Sequence, residues 1–193
     1  MKKIGIATAL AFTLLGTSVS ASAATHTVEK GDTFWNLGME YGVSVLDLKE
    51  VNNRTSDVIY PGEELEIPES ISKEEKELLA RLVHAESKGE PYAGKVAVAT
   101  VVLNRVDSPD FPNSIKEVIY EKAAGGSYAF SPVLDGSINQ PADDEAKRAV
   151  DEALTFRGQG KGSLFFFNPD KTSNEFMFSR EVTTVIGNHR FAK

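Results

Sequence analysis

One stretch of the chain is apolar on almost every side, and it limits the folds that this sequence can adopt. Residues 93–106 read AGKVAVATVVLNRV, which has helical character and little polar surface before its end. A helix that is apolar all round is covered by its neighbours, so the stretch predicts a central buried helix. Asn104 and Arg105 lie near its end, where we expect their buried polar groups to find hydrogen-bond partners.

A second helix is predicted just before the central one, with Ser72 and Glu75 at the spacing of a capping box. Its apolar face consists of residues at helical spacing: Leu78, Leu79, Leu82 and Val83. Glu86 follows Leu82 by four residues and therefore falls on this apolar face. Desolvation there raises the pKa of a carboxyl group. A general acid that protonates a leaving glycosidic oxygen requires such a raised pKa. The alternative is that Glu86 only marks the helix end and faces solvent.

The remainder of this C-terminal module alternates short helices, loops and strands. A second capping box opens a short helix from Ser114 to Tyr120, and a helix capped by Asp143 or Asp144 runs to Phe156. Residues 123–141 are rich in Gly, Ser, Asp, Asn and Pro, which predicts an irregular, cleft-lining segment. Residues 164–167 predict a short buried strand, and residues 176–186 contain strand-like stretches.

Residues 25–68 have the pattern of a separate small unit. Residues 26–29 and 64–68 alternate as strands do, and two short helices lie between them. The first helix covers residues 34–41 and stops at Gly42, while Ser44 caps the second. The predicted order is therefore strand, helix, helix, strand.

Composition and the N-terminus narrow the classes of function. The chain has 193 residues, a net charge of −7 and no cysteine. The acidic charge argues against nucleic acid as the main ligand, and the absence of cysteine excludes thiol nucleophiles and disulfides. Lys2 and Lys3 precede an apolar run and the sequence Ala21–Ser22–Ala23, which predicts a secretory signal peptide over residues 1–23. The alternative is an uncleaved anchor; no later segment is apolar enough to span a membrane.

The N-terminal unit closely resembles a LysM domain. The matching residues are HTVEKGDTFWNLGMEYGVSVLDLKEVNN and IYPGEELEIP, in that order. LysM domains bind glycans that contain N-acetylglucosamine, and the resemblance implies a sugar site between two loops. The implied glycan-binding residues are Gly31, Asp32, Thr33, Phe34, Ile59, Tyr60 and Pro61. Gly31 and Pro61 also suit the turns, and Asp32 or Thr33 also suits a helix cap.

The C-terminal module resembles the spore-cortex-lytic, SleB/CwlJ-type family of cell wall hydrolases. Its ordered blocks are HAESKGEPYAGKVAVATVVLNRV, FPNSIKEVIY, FSPVLDGSINQPADDEAKRAVDEAL, LFFFNPD and IGNHRFAK. The resemblance implies a lysozyme-like, mainly helical core that cleaves peptidoglycan glycan strands, with Glu86 as the catalytic acid. Ser87 stands where many relatives have Ala.

Together these features predict an α+β protein with two modules. The predicted organisation is a signal peptide at 1–23, a LysM domain at 25–68, a linker at 69–73 and a catalytic domain at 74–193 with a short C-terminal sheet. The expected product is secreted and associated with the cell wall or with the spore cortex or coat. Its expected partner is peptidoglycan, and the sequence does not indicate an accessory protein.

Two chemical routes remain open at Glu86. A hydrolase uses a second carboxylate, for which Glu90 and Asp135 are weak candidates because they also suit a helix cap and a turn. A lytic transglycosylase uses the 6-hydroxyl of the sugar itself and one glutamate as acid and then base, and we favour this route. Further substrate-binding candidates are Tyr92, Phe130, Ser131 and Asn168.

No cofactor or metal ligand set is predicted. The acidic residues that could hold calcium do not match an EF-hand loop, and helix capping is the simpler account of them: Asp135, Asp143, Asp144 and Glu145. Some relatives of the CwlJ branch are associated with calcium dependence, so a calcium effect stays open. The competing class of function is a non-catalytic peptidoglycan-binding or spore structural protein.

Overall fold

A computed structural model of the protein describes residues 24–122 and 125–193. The predicted signal peptide lies outside the described residues. The N-terminal unit consists of β1 (Ala24–Thr27), α1 (Phe34–Tyr41), α2 (Val45–Val51) and β2 (Glu64–Ile67), and the two strands pair antiparallel. This order is the one predicted, although β1 begins and ends two residues earlier than the alternation indicated.

The small unit has a hydrophobic core of its own. Its buried members are Val28, Phe34, Leu37, Val43, Leu48, Leu65 and Ile67. The Ser44 hydroxyl accepts hydrogen bonds from the backbone N–H groups of Leu46 and Asp47, which is the predicted cap of α2. Gly42 has a left-handed backbone, with φ at 68°, and ends α1.

The C-terminal module contains six further helices and three strands among the described residues. The helices are α3 (Lys73–Glu86), α4 (Tyr92–Asp107), α5 (Ile115–Ile119), α6 (Ser131–Asp135), α7 (Asp144–Thr155) and α8 (Glu175–Phe178). The strands are β3 (Phe165–Phe167), β4 (Val182–Ile186) and β5 (His189–Ala192), which form an antiparallel sheet in the order β3–β5–β4. The mixed α+β class that the sequence predicted is confirmed.

The helix α4 lies at the centre of this module, as predicted. It packs against α3, α5 and α7, and Val98 to Leu103 are buried except for Thr100. The polar groups near its end have partners: Asn104 Nδ2 donates to the Ser163 carbonyl at 2.9 Å, and Arg105 Nε to the Leu164 carbonyl at 2.8 Å. These two bonds connect the central helix to the residues that enter β3.

Two sequence predictions are wrong in part. Residues 131–135 form α6 and residues 137–139 a short 3₁₀ helix, where an irregular segment was expected. Residues 175–178 are helical, and only residues 182–186 of the predicted strand-like stretch form a strand. Both short helices owe their formation to tertiary packing, because α6 contacts α3 and α8 contacts β3.

The two modules are in direct contact. The helix α1 packs against α7, and the Ser44 hydroxyl donates a hydrogen bond of 3.1 Å to the Arg157 carbonyl. Arg157 in turn forms an ion pair with Asp107 at the end of α4. The small unit is therefore attached to the C-terminal module through side chains as well as through the chain between them.

Candidate active site

Glu86 opens into a cleft of about 520 Å³ between the helices and the sheet. The cleft is formed by the end of α3, the start of α6, β3 with the loop after it, and the start of β5. Its lining residues include Glu86, Lys88, Ser131, Asn168, Lys171 and His189. A wider depression of about 740 Å³ lies beyond the end of α4, but both of its carboxylates already have partners. Asp107 is paired with Arg157, and Glu117 accepts a hydrogen bond from the Ser114 hydroxyl at 2.9 Å. We therefore place the chemistry in the cleft at Glu86.

Glu86 has the environment that its sequence position predicted. It is the last residue of α3, and the residues one turn before it, Leu82 and Val83, are fully buried. Burial, and to a lesser extent the nearby charge of Asp135, raise the pKa of Glu86 to about 7, although a hydrogen bond from the Ser131 backbone N–H acts in the opposite direction. A carboxyl group with this pKa holds its proton near neutral pH and can donate it.

Asp135 approaches Glu86 from the end of α6 without lining the cleft. Hydrogen bonds from Ser137 hold the pKa of Asp135 below its usual value, so its carboxylate is charged. The Ser137 backbone N–H donates to Asp135 Oδ1 at 2.8 Å. The pKa values of these two nearby carboxyl groups are thus shifted in opposite directions, an arrangement that suits one group to donate a proton while the other stays charged.

The sequence-predicted cleft residues divide into two groups. Ser131 and Asn168 line the same cleft as Glu86, whereas Tyr92 and Phe130 do not. The Tyr92 hydroxyl donates to Glu152 in α7 at 2.8 Å. Phe130 is only 3% exposed and packs beneath Arg105 and beside Phe166. The structure therefore places Tyr92 against α7 and Phe130 in the core.

Three of the lining residues that were not predicted carry ionisable side chains. Lys88 lies just after α3, Lys171 follows the turn after β3, and His189 begins β5. In the sequence, His189 stood out only as part of the block IGNHRFAK. Nothing in that block indicates that residue 189 lies near residue 86. Lys88 is two positions from Glu86, whereas Lys171 and His189 reach it only through the tertiary fold, from 85 and 103 positions away in the sequence.

Glu90, one candidate for a second carboxylate, is used in a different way. Its carboxylate accepts a hydrogen bond from the Asn188 backbone N–H at 2.9 Å and another from Asn188 Nδ2 at 3.1 Å. These bonds lower the pKa of Glu90 against the opposing effect of its burial. Glu90 thus attaches the loop after Glu86 to the turn between β4 and β5.

The two loops predicted to hold a sugar in the small unit lie side by side. The Val28 backbone N–H donates to the Glu63 carbonyl, and the Gly62 N–H donates to the Val28 carbonyl, each at 2.8 Å. Pro61 and Tyr60 are exposed in the second loop, Tyr60 to 63%, while Ile59 is half-buried and packs on the small core. The exposed aromatic ring of Tyr60 is thus available for a ligand.

The residues of the first loop have structural roles. Asp32 accepts hydrogen bonds from the Glu29 backbone N–H at 2.7 Å and pairs with His26 at 2.8 Å. Thr33 caps α1, and Phe34 is buried in the small core. Gly31 has φ at 104°, a conformation that favours glycine. Because Asp32 and Thr33 bond within the loop, they shape it whether or not they also contact a sugar.

The acidic residues considered for calcium act locally. Asp143 caps α7, accepting from the Ala146 backbone N–H at 2.7 Å, and Glu145 lies 3.6 Å from Lys95. Within residues 24–122 and 125–193, no three His, Asp or Glu side chains are grouped closely enough to hold a metal ion. In the same ranges no helix has the length and apolar character needed to cross a membrane.

Comparison with known proteins defines the class to which this architecture corresponds. The Cell Wall Hydrolase family model matches residues 89–192, and the LysM domain model matches residues 26–68. The chain belongs to the Cell Wall Hydrolase family and carries a LysM domain before that region. Glu86 lies three residues before the matched range.

Relatives of the chain include spore cortex-lytic enzymes. The chain is 40% identical to the enzyme of Halalkalibacterium halodurans over 125 residues, which are 65% of this chain and 36% of that protein. It is 39% identical to a Bacillus cereus enzyme over 127 residues, or 66% of this chain and 47% of that protein. The chain thus spans less than half the length of these curated relatives.

A solved structure resembles the C-terminal module. The catalytic domain of the germination-specific lytic transglycosylase SleB from Bacillus anthracis superposes with a TM-score of 0.59 and 38% sequence identity. The match covers 66% of this chain and all of that domain. The fold of the module is therefore that of the SleB catalytic domain.

Proposed function

We propose that this protein cleaves the glycan strand of peptidoglycan, with Glu86 as the general acid and the LysM domain as the anchor on the wall. The observation that carries this proposal is the half-buried Glu86 carboxyl group, which lines a cleft and whose pKa desolvation raises to about 7. A protonated carboxyl group at the side of an open cleft suits protonation of a glycosidic oxygen. The relatives named as cortex-lytic enzymes support the choice of substrate.

In the proposed reaction Glu86 protonates the oxygen between N-acetylmuramic acid and N-acetylglucosamine as the bond from that oxygen to the muramic anomeric carbon breaks. Positive charge develops at this carbon. The 6-hydroxyl oxygen of the same muramic residue then bonds to the carbon, and the Glu86 carboxylate takes up the hydroxyl proton. The product is a 1,6-anhydromuramic end, and Glu86 returns to its protonated state.

The transglycosylase route is supported by the composition of the cleft. Among the described residues that line it, Glu86 is the one carboxylate. A hydrolase needs a second carboxylate to activate water or to stabilise the positive charge. Asp135 supplies a negative charge nearby, so hydrolysis assisted by Asp135 is the second candidate. The name of the SleB domain, a lytic transglycosylase, also favours the first route.

We assign the protein to the wall or the spore cortex, as a secreted enzyme of cortex lysis or wall remodelling. The LysM domain and the cortex-lytic relatives support this location. The predicted signal peptide agrees with it. The competing proposal of a non-catalytic wall-binding or spore structural protein keeps the LysM domain but leaves the raised pKa of Glu86 without a role.

Mass spectrometry of released muropeptides tests this proposal. The purified protein is incubated with spore-cortex and with vegetative peptidoglycan, and Glu86→Gln serves as the matched variant. We expect anhydromuramic ends from the wild type. Because a general acid contributes about 10²- to 10⁴-fold, the variant should lose at least about a hundredfold in rate while still sedimenting with the wall.

Each other result would change the proposal. Reducing ends would replace transglycosylation by hydrolysis and turn attention to Asp135. Binding without release by the wild type would favour the non-catalytic alternative. Parallel reactions with calcium and with a chelator test the calcium dependence that the sequence left open; equal rates would exclude it.

A further inference from the structure

His189 is the buried titratable residue of the cleft to which no role has been assigned. It is the first residue of β5 and only 8% exposed, yet it lines the same cleft as Glu86. The imidazole packs edge-on against Phe166, with ring centroids 5.4 Å apart, and against Phe191 at 6.3 Å. Aromatic neighbours on these sides hold the ring in one orientation.

The hydrogen bonding of the imidazole indicates which nitrogen carries the proton. Nδ1 is buried and has no hydrogen-bond partner among the described residues. An N–H group at Nδ1 would be a buried donor without an acceptor, and unpaired buried N–H groups are rarer in folded proteins than unpaired buried acceptors. The favoured neutral tautomer therefore has its proton on Nε2. This tautomer leaves a single N–H donor for a molecule in the cleft.

The position of His189 is fixed by the loop that follows Glu86. Glu90 accepts both hydrogen bonds from Asn188, the residue directly before His189. Gly187 packs so closely on Glu90 and Pro91 that a Cβ atom at residue 187 would lie 2.7 Å from Pro91 Cδ. Contacts between Glu90 and Asn188 thus connect the segment after α3 to the start of β5. Glu90 lies four residues after Glu86, and Asn188 lies directly before His189.

We infer that His189 is a substrate-binding residue, which donates a hydrogen bond from Nε2 to an oxygen of the glycan bound at Glu86. The acceptor would be a hydroxyl or an N-acetyl carbonyl oxygen, the two neutral acceptor types that these sugars offer. Glu90 is the positioning residue that holds the turn before His189. The inference rests on the proposed function, since it assigns a further contact in the same cleft.

The charges around His189 agree with a neutral donor. Burial lowers its pKa, the Glu90 carboxylate acts in the opposite direction, and Lys171 lowers it again. Lys88 and Glu86 also line the cleft, and Glu86 is protonated below a pH of about 7. The donor is therefore available across the range in which Glu86 holds its proton.

Three substitutions at residue 189 separate a substrate contact from a packing role. His189→Phe keeps an aromatic ring between Phe166 and Phe191 but removes the donor. His189→Gln places an amide nitrogen near the position of Nε2, and His189→Asn places one near the position of Nδ1. We expect kcat/KM on soluble glycan strands to fall about tenfold for His189→Phe and His189→Asn, mainly through KM, and to stay within about threefold for His189→Gln.

A second measurement reads the contact without turnover. In Glu86→Gln, the ¹⁵N resonances of His189 are recorded with and without soluble glycan strands, and His189 is identified by comparison with the double variant that also carries His189→Gln. We expect a protonated Nε2 whose resonance moves when glycan is added, while Nδ1 keeps the shift of an unprotonated nitrogen.

The outcomes separate this inference from the proposed function. If His189→Phe cleaves as well as the wild type and the Nε2 resonance does not respond to glycan, the inference is wrong and the proposed function stands. If the wild type releases no muropeptides, the proposed function fails; a response of Nε2 to glycan would then still support the contact. Equal losses for His189→Gln and His189→Phe would assign His189 a packing role.

Discussion

Gly38 in α1 lies directly against Thr155 in α7, so that a Cβ atom at residue 38 would come within 2.7 Å of the Thr155 Cγ2 atom. The carbonyl oxygen of Val43 lies 2.9 Å from the same point. The small size of Gly38 is therefore required both by Val43 in its own module and by Thr155 in the neighbouring module. The contact between the LysM domain and the C-terminal module therefore depends on a residue without a side chain.

The variant Gly38→Leu should destabilise this contact. Overpacking at a close contact costs about 1–3 kcal/mol, which we expect as a lower melting temperature in calorimetry. Gly125→Leu is the matched control because a Cβ atom at Gly125 would meet nothing within 4 Å. Removing Thr155 Cγ2 with Thr155→Ser should restore only part of the stability of Gly38→Leu, because the Val43 carbonyl still opposes the Cβ atom. An unchanged melting temperature for Gly38→Leu would contradict the close contact.

Stability should depend on pH through Glu86. The pKa of Glu86 rises from 4.5 to about 7 in the folded protein, so the folded state holds the proton more tightly than the unfolded chain. The contribution of Glu86 to the free energy of unfolding is therefore full below pH 4.5 and falls as the pH rises to about 7, by about 3 kcal/mol in total. Glu86→Gln should lack this slope.

Chemical denaturation at several pH values measures the effect. Between pH 4.5 and 7 the wild type should lose stability relative to Glu86→Gln. Above pH 7 the difference between their free energies of unfolding should stay constant. Glu77→Gln, on the exposed face of the same helix, is the control for a change of charge. A difference that does not vary with pH would mean that the Glu86 carboxyl group is hydrated as an ordinary surface acid.

The variant Asp135→Asn should shift the pH dependence of cleavage. The charge of Asp135 raises the pKa of Glu86, so its removal lowers that pKa and moves the alkaline limb of the rate profile to lower pH. The asparagine amide oxygen can still accept the bond from Ser137. Burial remains the larger cause, so the limb should stay above the range of an exposed glutamate. Asp110→Asn removes the same charge on the loop after α4 and should leave the limb unchanged.

The variant Tyr60→Ala should weaken wall binding without unfolding the LysM domain. The ring is exposed in the second of the two loops predicted to hold the sugar and is not part of the small core, so its removal leaves that core intact. We expect about tenfold weaker co-sedimentation with peptidoglycan, equivalent to about 1.4 kcal/mol. Tyr120→Ala, which removes a ring that is also exposed in the C-terminal module, is the control. Equal binding by both variants would remove Tyr60 from the sugar site.

The sequence predicted the features that depend on local spacing. The cap at Ser72 bonds to Glu75 as a capping box, and Asn104 and Arg105 have the partners that buried polar groups need. The spacing from Leu82 placed Glu86 on the apolar side of α3. Helical periodicity and burial decide each of these features within about two turns of one segment.

The features that were missed depend on contacts between distant segments. The helix α6 contains a proline and ends at a glycine, and nothing in its five residues indicates that α3 will support it. Tyr92 was predicted to bind substrate, but at the start of α4 its hydroxyl bonds to Glu152 and its ring lies beneath Arg148. His189 needed the pairing of β5 with β4 and the contact with Glu90 before it could be assigned to the cleft.

The contact at Gly38 has a consequence for where cleavage occurs. A flexible tether would let a catalytic cleft sample many positions around an anchored domain. Here α1 packs on α7, and Ser44 bonds to Arg157, so the two surfaces keep one separation and one relative orientation. Under the proposed function, the position at which the LysM domain binds a glycan strand would determine where the cleft cuts that strand. The released glycan fragments would then have preferred lengths.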